Sequence, residues 1–259
     1  MAFPIPLPET HKPLFSGYHI FNTVRNDWVP TIRRILEEMP QIGVDIITSN
    51  CEYAGSQWEI NFAPGRGLQG PDDAFTFKNG VKEIAKQDGY TATFMSKPFA
   101  DSAGSGCHTH VSLLRSDDGS NAFSDEAGAD GFSDTGRHFI GGLLRYAKAI
   151  DALIAPTVNC LRRRRRHTFS PTNISWGLED RADPGPSSKQ GLPAEDDPGF
   201  VKLPLSLEES LAAFESEPLS TEFFGEEFVS AYSVMRRYEL SRFGDWVSDW
   251  ERTEYLELF

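Results

Sequence analysis

The sequence holds only three cysteines in 259 residues, and no Cys-x-x-Cys spacing. An odd count without that spacing argues against both a disulfide framework and a cysteine zinc site. Cys51, Cys107 and Cys160 therefore read as reduced thiols of a cytoplasmic protein. Long hydrophobic runs are also missing: none approaches the roughly 20 residues that span a bilayer. The proline-rich start, MAFPIPLPETHKPLF, has no apolar stretch of the signal-peptide kind. Basic residues are scarce, 25 Lys and Arg against 38 Asp and Glu, for a formal charge of −13. A surface this acidic disfavours nucleic acid and anionic membranes, since both are polyanions, and it also serves plain solubility.

With 39% hydrophobic and 24% charged residues, the chain can bury a real core. Residues 1–16 read as an extended arm. From Asn26 the apolar spacing turns helical through Trp28, Val29, Ile32, Ile35 and Leu36, and Gly43 closes the unit. A hairpin follows, with Ile46 to Glu52 on one strand, a turn at Gly55-Ser56, and Trp58, Ile60 and Phe62 on the other. Pro71 and Asp72-Asp73 suit a helix start, with Phe75, Val81 and Ile84 facing the core and Gly89 as the stop. Thr91 to Met95, Cys107 to Leu114 and Asn173 to Trp176 read as short strands. Asp134 or Thr135 caps a long helix ended by Pro156. Residues 183–200 are rich in Pro, Gly, Ser and Asp and read as a loop. Ser206 with Glu209 has capping-box spacing, and Phe228 to Leu258 carries aromatics at helical intervals. This mixture predicts an α+β fold, an antiparallel sheet with packed helices.

Three constellations carry chemistry. Glu52 and Glu59 sit on opposite hairpin strands, so the turn brings their carboxylates close. Such a pair repels unless a cation lies between, and hard Mg²⁺ or Mn²⁺ prefers oxygen ligands. Two solvated charges on a hairpin would show the same spacing. On a strand, His108, His110 and Ser112 share one face while Cys107, Thr109 and Val111 take the other. The preceding Gly104-Ser105-Gly106 permits close approach of backbone to a ligand, although a lone His-x-His also arises by chance. Arg162 to Arg166, five arginines in a row between apolar segments, suit polyanionic substrates, with a solvated charge run as the competing reading.

The motifs CEYAGSQWEINF, FKNGVKEIAKQDG, TATFMSKPF, GSGCHTHVSL, FIGGLLRYAKAI, APTVNC and SPTNISWGLEDR occur in one order. That order resembles the catalytic domain of glutamine synthetases and the related γ-glutamyl amine ligases, over residues 17–182 and again from Pro204 to Phe259. The resemblance implies a glutamine-synthetase-like catalytic domain over 17–259, and ATP-dependent ligation of glutamate to an amine through a γ-glutamyl phosphate. It implies two divalent ions, Mg²⁺ or Mn²⁺, and a homo-oligomer. Residue by residue, it implies that Glu52, Glu59 and His108 are metal ligands, and that His110 and Ser112 contact ATP. Gly104 would lie near glutamate, Arg163 would hold it, and Arg181 would serve both glutamate and nucleotide.

The sequence also departs from the family's pattern. No β-grasp domain or first catalytic strand with its glutamate pair precedes the hairpin. After Arg181 the chain jumps to DPGPSSKQGLPAEDDPGF where relatives carry more arginines and a last metal glutamate. Ala103 stands in place of an asparagine. Phe169 replaces the glutamate that binds ammonium in ammonia users, which favours an alkyl or aryl amine because an apolar ring cannot balance a small cation. Three readings follow: an amine ligase, an ordinary glutamine synthetase, and an inactive remnant or assembly subunit.

Overall fold

The computed structural model describes residues 29–128, 131–164, 170–177 and 201–257. The extended arm, the 183–200 loop, Arg165, Arg166, Phe169 and Arg181 lie outside the described residues. The chain divides into two compact units, Met1–Cys107 and His108–Phe259. It is mixed helix and strand with a small antiparallel sheet.

In the first unit, α1 (Val29–Glu38) runs into a 3₁₀ turn (Met39–Ile42) that stops at Gly43. Gly43 sits at φ 91°, in the left-handed region that glycine enters at little cost. The hairpin forms as expected, from β1 (Ile46–Cys51) and β2 (Trp58–Phe62). A register irregularity between Ile46 and Thr48 bends β1. α2 (Gln69–Gln87) begins two residues before the expected Pro71. Its core face also differs: Phe77, Val81, Ile84 and Ala85 are buried, whereas Phe75 is 72% exposed. Phe77, Val81 and Ala85 are spaced by four and share a face, and Phe75 is two residues, about 200°, out of phase with them.

These residues pack with Ile32, Ile35, Met39 and Trp58 into one core, and Phe62 meets Phe77 edge-on at 4.9 Å between ring centroids. Each fully buried large side chain contributes about 1.5–3 kcal/mol. Gly80 lets α2 approach the 3₁₀ turn, because a Cβ there would lie 2.7 Å from the Met39 sulfur. Thr31 Oγ1 donates to Asp88 Oδ2 at 2.7 Å and ties α1 to the end of α2.

In the second unit, α3 (Asp134–Ile154) is capped by Ser133, not by Asp134 or Thr135. Ser133 is the last extended residue, and its Oγ accepts from Gly136 N at 3.1 Å. α4 (Val158–Leu161), α5 (Leu207–Ser216), α6 (Pro218–Phe224), α7 (Glu226–Gly244) and α8 (Asp249–Tyr255) follow. The Ser206–Glu209 box is half made. Ser206 Oγ accepts from Glu209 N at 3.2 Å, but the Glu209 carboxylate takes Leu205 N at 2.9 Å in place of the cap's own N–H. The full box lies at Ser248 and Glu251, where the aromatic stretch restarts as α8. Leu207, Leu211 and Phe214 of α5 pack with Ala152 and Val229 as the unit's core.

Three expected strands do not form ladders among the described residues. Cys107–Leu114 makes one isolated bridge, Leu114 to Asn121, and Asn173–Trp176 makes one, Asn173 to Lys202. Thr91–Met95 is likewise not a strand. Period-two alternation specifies which face a residue takes, but a ladder also needs a partner at every second amide. No described helix is long and apolar enough to cross a membrane.

Candidate functional site

The hairpin builds the first part of the site. Cys51 pairs with Trp58 and Asn50 with Glu59, and beyond the ladder Glu52 N donates to Gln57 O at 2.9 Å. Glu52 therefore lies two positions along from the residue opposite Glu59, on the same face, which makes the two glutamates diagonal neighbours. Burial, followed by hydrogen-bond contact with Glu59 and its charge, pushes the Glu52 carboxyl above the ordinary carboxylate range. Tyr53 N donates to Glu52 Oε2 at 3.0 Å and pulls the other way. Two half-buried acids held this close are an oxygen donor pair of the kind hard divalent cations take. That donor set fits Mg²⁺ or Mn²⁺, with Glu52 and Glu59 as the residues that would hold it. Among the described residues no group of three or more His, Cys, Asp or Glu gathers at one point.

In the turn beside the pair sits Gln57, 4% exposed. Its Oε1 accepts from Ala54 N at 3.0 Å, and its Nε2 donates to Gly104 O at 3.1 Å and to Ser105 Oγ at 3.0 Å. The turn around it is tight: Gln57 N bonds Ala54 O at 3.1 Å, and Ser56 adopts φ 58°. The Gly104 segment is closed on itself. Ser105 N donates to Ser96 O at 2.8 Å, and the buried Lys97 ammonium donates to Ser102 O. The glutamate hairpin and the Gly104 segment are therefore one hydrogen-bonded assembly inside the first unit.

In the second unit, His108, His110 and Ser112 are exposed, on an extended run without a ladder. The arginine run is better defined. Arg162, Arg163 and Arg164 each bond a carbonyl three residues back, at 3.2, 3.2 and 3.0 Å, which continues α4 as a 3₁₀ turn. Three residues per turn spread consecutive side chains by about 120°, so these three arginines fan out and share no single face. Arg162 is exposed, its guanidinium 5.4 Å from the Phe243 ring centroid. Arg163 is half-buried, and burial together with the Arg164 charge draws its guanidinium below the ordinary arginine range. Arg164 turns inward: it pairs through both nitrogens with Asp151, Nη1 to Oδ2 at 2.8 Å, and its Nη1 also reaches Pro204 O at 2.8 Å. Asp151 is fully buried and accepts from Ser210 Oγ at 2.7 Å.

Sequence reasoning passed over Gln57, Lys97, Asp151 and Ser210, and it grouped Arg164 with its neighbours. One signal was present: Asp151 falls four residues after Ala147 and seven after Leu144, inside the apolar stripe of α3. A charge in such a stripe requires a buried partner.

The family description "Glutamine synthetase, catalytic domain" matches residues 6–184 and 186–255. The chain belongs to the glutamine synthetase family. It is 42% identical over 175 residues to a glutamine synthetase of Thermococcus kodakarensis, an alignment covering 67% of this chain and 38% of that one. It is 31% identical over 281 residues to the gamma-glutamylethanolamide synthetase GlnA4 of Streptomyces coelicolor, covering 93% of this chain and 59% of that one. Among solved structures it is similar to GmaS in its ADP complex, with a TM-score of 0.79, 26% identity, 98% of this chain covered and 68% of the other. The chain spans less than two thirds of the length of the first curated relatives it matches, between 38% and 64%.

Proposed function

We propose that the chain carries the metal and glutamate region of an ATP-dependent ligase that joins glutamate to an amine. The observation that carries this reading is the close Glu52–Glu59 carboxyl pair, bound through Gln57 to the Gly104 segment. The reaction has two steps. The side-chain carboxylate of glutamate attacks the γ-phosphorus of ATP, and ADP leaves. The amine then attacks the acyl carbon of the γ-glutamyl phosphate, phosphate leaves, and the nitrogen loses a proton. A divalent ion, Mg²⁺ or Mn²⁺, supplies charge neutralisation to the phosphates when bound. Glu52 and Glu59 would hold it, and His108 is proposed as a metal ligand on the family resemblance. Gly104 lines the glutamate position and Arg163 holds a glutamate carboxylate; the half-burial of Arg163 strengthens such a pairing. His110, Ser112 and Arg181 serve the nucleotide.

An amine larger than ammonia is the preferred acceptor, because Phe169 stands where ammonia users carry a carboxylate. Relatives of both kinds match the chain, a glutamine synthetase and the ethanolamide synthetase among them. A cytoplasmic homo-oligomer, as the family resemblance implies, completes the reading. After Arg181 the sequence runs into DPGPSSKQGLPAEDDPGF where the resemblance implies further arginines and a last metal glutamate. Turnover by this chain alone is therefore proposed to fall below the ordinary ~1–10³ s⁻¹ of enzymes.

The test is glutamate-dependent phosphate release from ATP with ammonia, ethylamine and ethanolamine in parallel. The reading expects slow release, faster with an amine than with ammonia and abolished in Glu59→Gln. Release that is equal in Glu59→Gln and wild type overturns the site. The second reading, a binding subunit, is favoured if glutamate and Mn²⁺ bind while no acceptor yields phosphate.

A further inference from the structure

Gln57 is a buried amide whose oxygen and nitrogen are both engaged, and the partners of its nitrogen lie 47 and 48 residues away in sequence. One end holds the turn that carries Glu52, through Ala54 N. The other end holds Gly104 O and Ser105 Oγ. A side chain filling a turn needs none of this reach. We propose that Gln57 is a positioning residue that couples the carboxylate pair to the Gly104 segment, so that a divalent cation and glutamate each tighten the binding of the other. This rests on the proposed reading of Glu52, Glu59 and Gly104, and adds a residue and a linkage to it.

The physical route is short. A cation drawing Glu52 and Glu59 together fixes the turn from Glu52 to Gln57, because Glu52 N is bonded to Gln57 O. The fixed turn fixes the amide, and the amide fixes the carbonyl of Gly104. Groups that orient metal ligands from behind typically matter by about 10–100-fold in metal affinity. Linkage requires the effect to be reciprocal between the two ligands.

The experiment titrates Mn²⁺ into the full chain, reading free Mn²⁺ by electron paramagnetic resonance, with and without saturating L-glutamate. In the wild type, glutamate tightens Mn²⁺ by about fivefold or more, and Glu59→Gln removes the binding. In Gln57→Leu, the ratio of the two affinities falls to about one. In Ser105→Ala, which removes one of the two acceptors of Nε2, the ratio falls part-way while the glutamate-free affinity holds. If Gln57→Leu fails to fold, judged by near-ultraviolet circular dichroism, Ser105→Ala decides alone. A wild-type ratio in the folded Gln57→Leu chain, or equal losses with and without glutamate, overturns the coupling and leaves a structural glutamine. Wild-type Mn²⁺ binding that ignores glutamate overturns this inference only. Mn²⁺ binding that survives Glu59→Gln overturns the site itself.

Discussion

The two units treat charge in opposite ways. In the second, Asp151 is fully buried, paired with both terminal guanidinium nitrogens of Arg164 and bonded to Ser210, so each charge is answered by another in the same core. In the first, Glu52 and Glu59 are like charges brought together by a hairpin, and Glu52 rises above the ordinary carboxylate range. A fold that only needed to be stable would not place two acids as diagonal neighbours on one face, since like pairs across strands are destabilising. Charges that complete one another serve the structure, and a repelling pair is what the proposed cation would relieve. Perturbed carboxylates mark functional sites for this reason.

The largest test of that contrast is Asp151→Ala. It leaves Arg164 buried without its counter-charge, and breaking such a pair costs about 3–5 kcal/mol. Urea unfolding is expected to show this loss, with amide exchange rising in α3 and α5. Replacing both members, Asp151→Leu with Arg164→Met, is expected to recover most of it, because a buried pair can be exchanged for apolar packing at little net cost. A single variant as stable as the wild type would mean that the pair is not a structural charge.

Next in size is Ser210→Ala. It removes one hydrogen bond to the buried carboxylate at 2.7 Å. Hydrogen bonds to charged groups contribute about 1.5–3 kcal/mol, and the urea midpoint is expected to fall accordingly. Arg164 still satisfies Asp151 in this variant, so a loss equal to that of Asp151→Ala would make the hydroxyl, and not the guanidinium, the main partner.

What could be read from the sequence divides along the same line. The α1 unit, the hairpin, the helix from residue 69 to Gly89 and the helical C-terminal part rest on local signals: periodicity, turn residues and caps. The hairpin in particular brought Glu52 and Glu59 together as its spacing implied. Cys107–Leu114 has the same alternation but no ladder among the described residues: its one bridge is local, Leu114 to Asn121, and alternation alone does not supply a partner strand. Phe75 was misplaced by two residues, which in a helix is enough to move it from core to solvent. The arginine run was legible as positive charge only. Its division into exposed Arg162, half-buried Arg163 and structural Arg164 depends on the 3₁₀ turn and on an aspartate in another helix.

A surface pair sharpens the comparison at lower amplitude. Arg237 Nη2 donates to Glu215 Oε2 at 2.5 Å, and this bond is the main cause that holds the Glu215 carboxyl below its ordinary value. A carboxylate depressed in the folded state adds stability that is present above its unfolded value and lost as pH falls through the folded one. Both side chains remain partly exposed, so the contribution is at most about 1 kcal/mol. Acid titration of stability in Arg237→Gln is expected to be shallower than in wild type over the carboxylate range. Identical curves would leave the pair as a contact with no energetic weight.

The smallest effect on stability is expected at the site, and it carries the opposite sign. Glu59→Gln removes one of the two repelling charges while keeping the shape of the side chain. Its amide can donate to the Glu52 carboxylate, which is half-buried and already receives Tyr53 N. Cross-strand pairs of this kind are worth about 0.2–1 kcal/mol, so the variant is expected to be more stable than wild type by an amount in that range. Mn²⁺ affinity is expected to fall at the same time, because an amide oxygen carries no charge to offer a hard cation. Thermal unfolding and Mn²⁺ titration on one preparation measure both signs. If Glu59→Gln destabilises the chain instead, the pair is held together by a shared proton and belongs with Asp151 and Arg164 among the groups that build the fold. If it stabilises the chain and Mn²⁺ binding is lost, the hairpin keeps its repulsion for the sake of the ion.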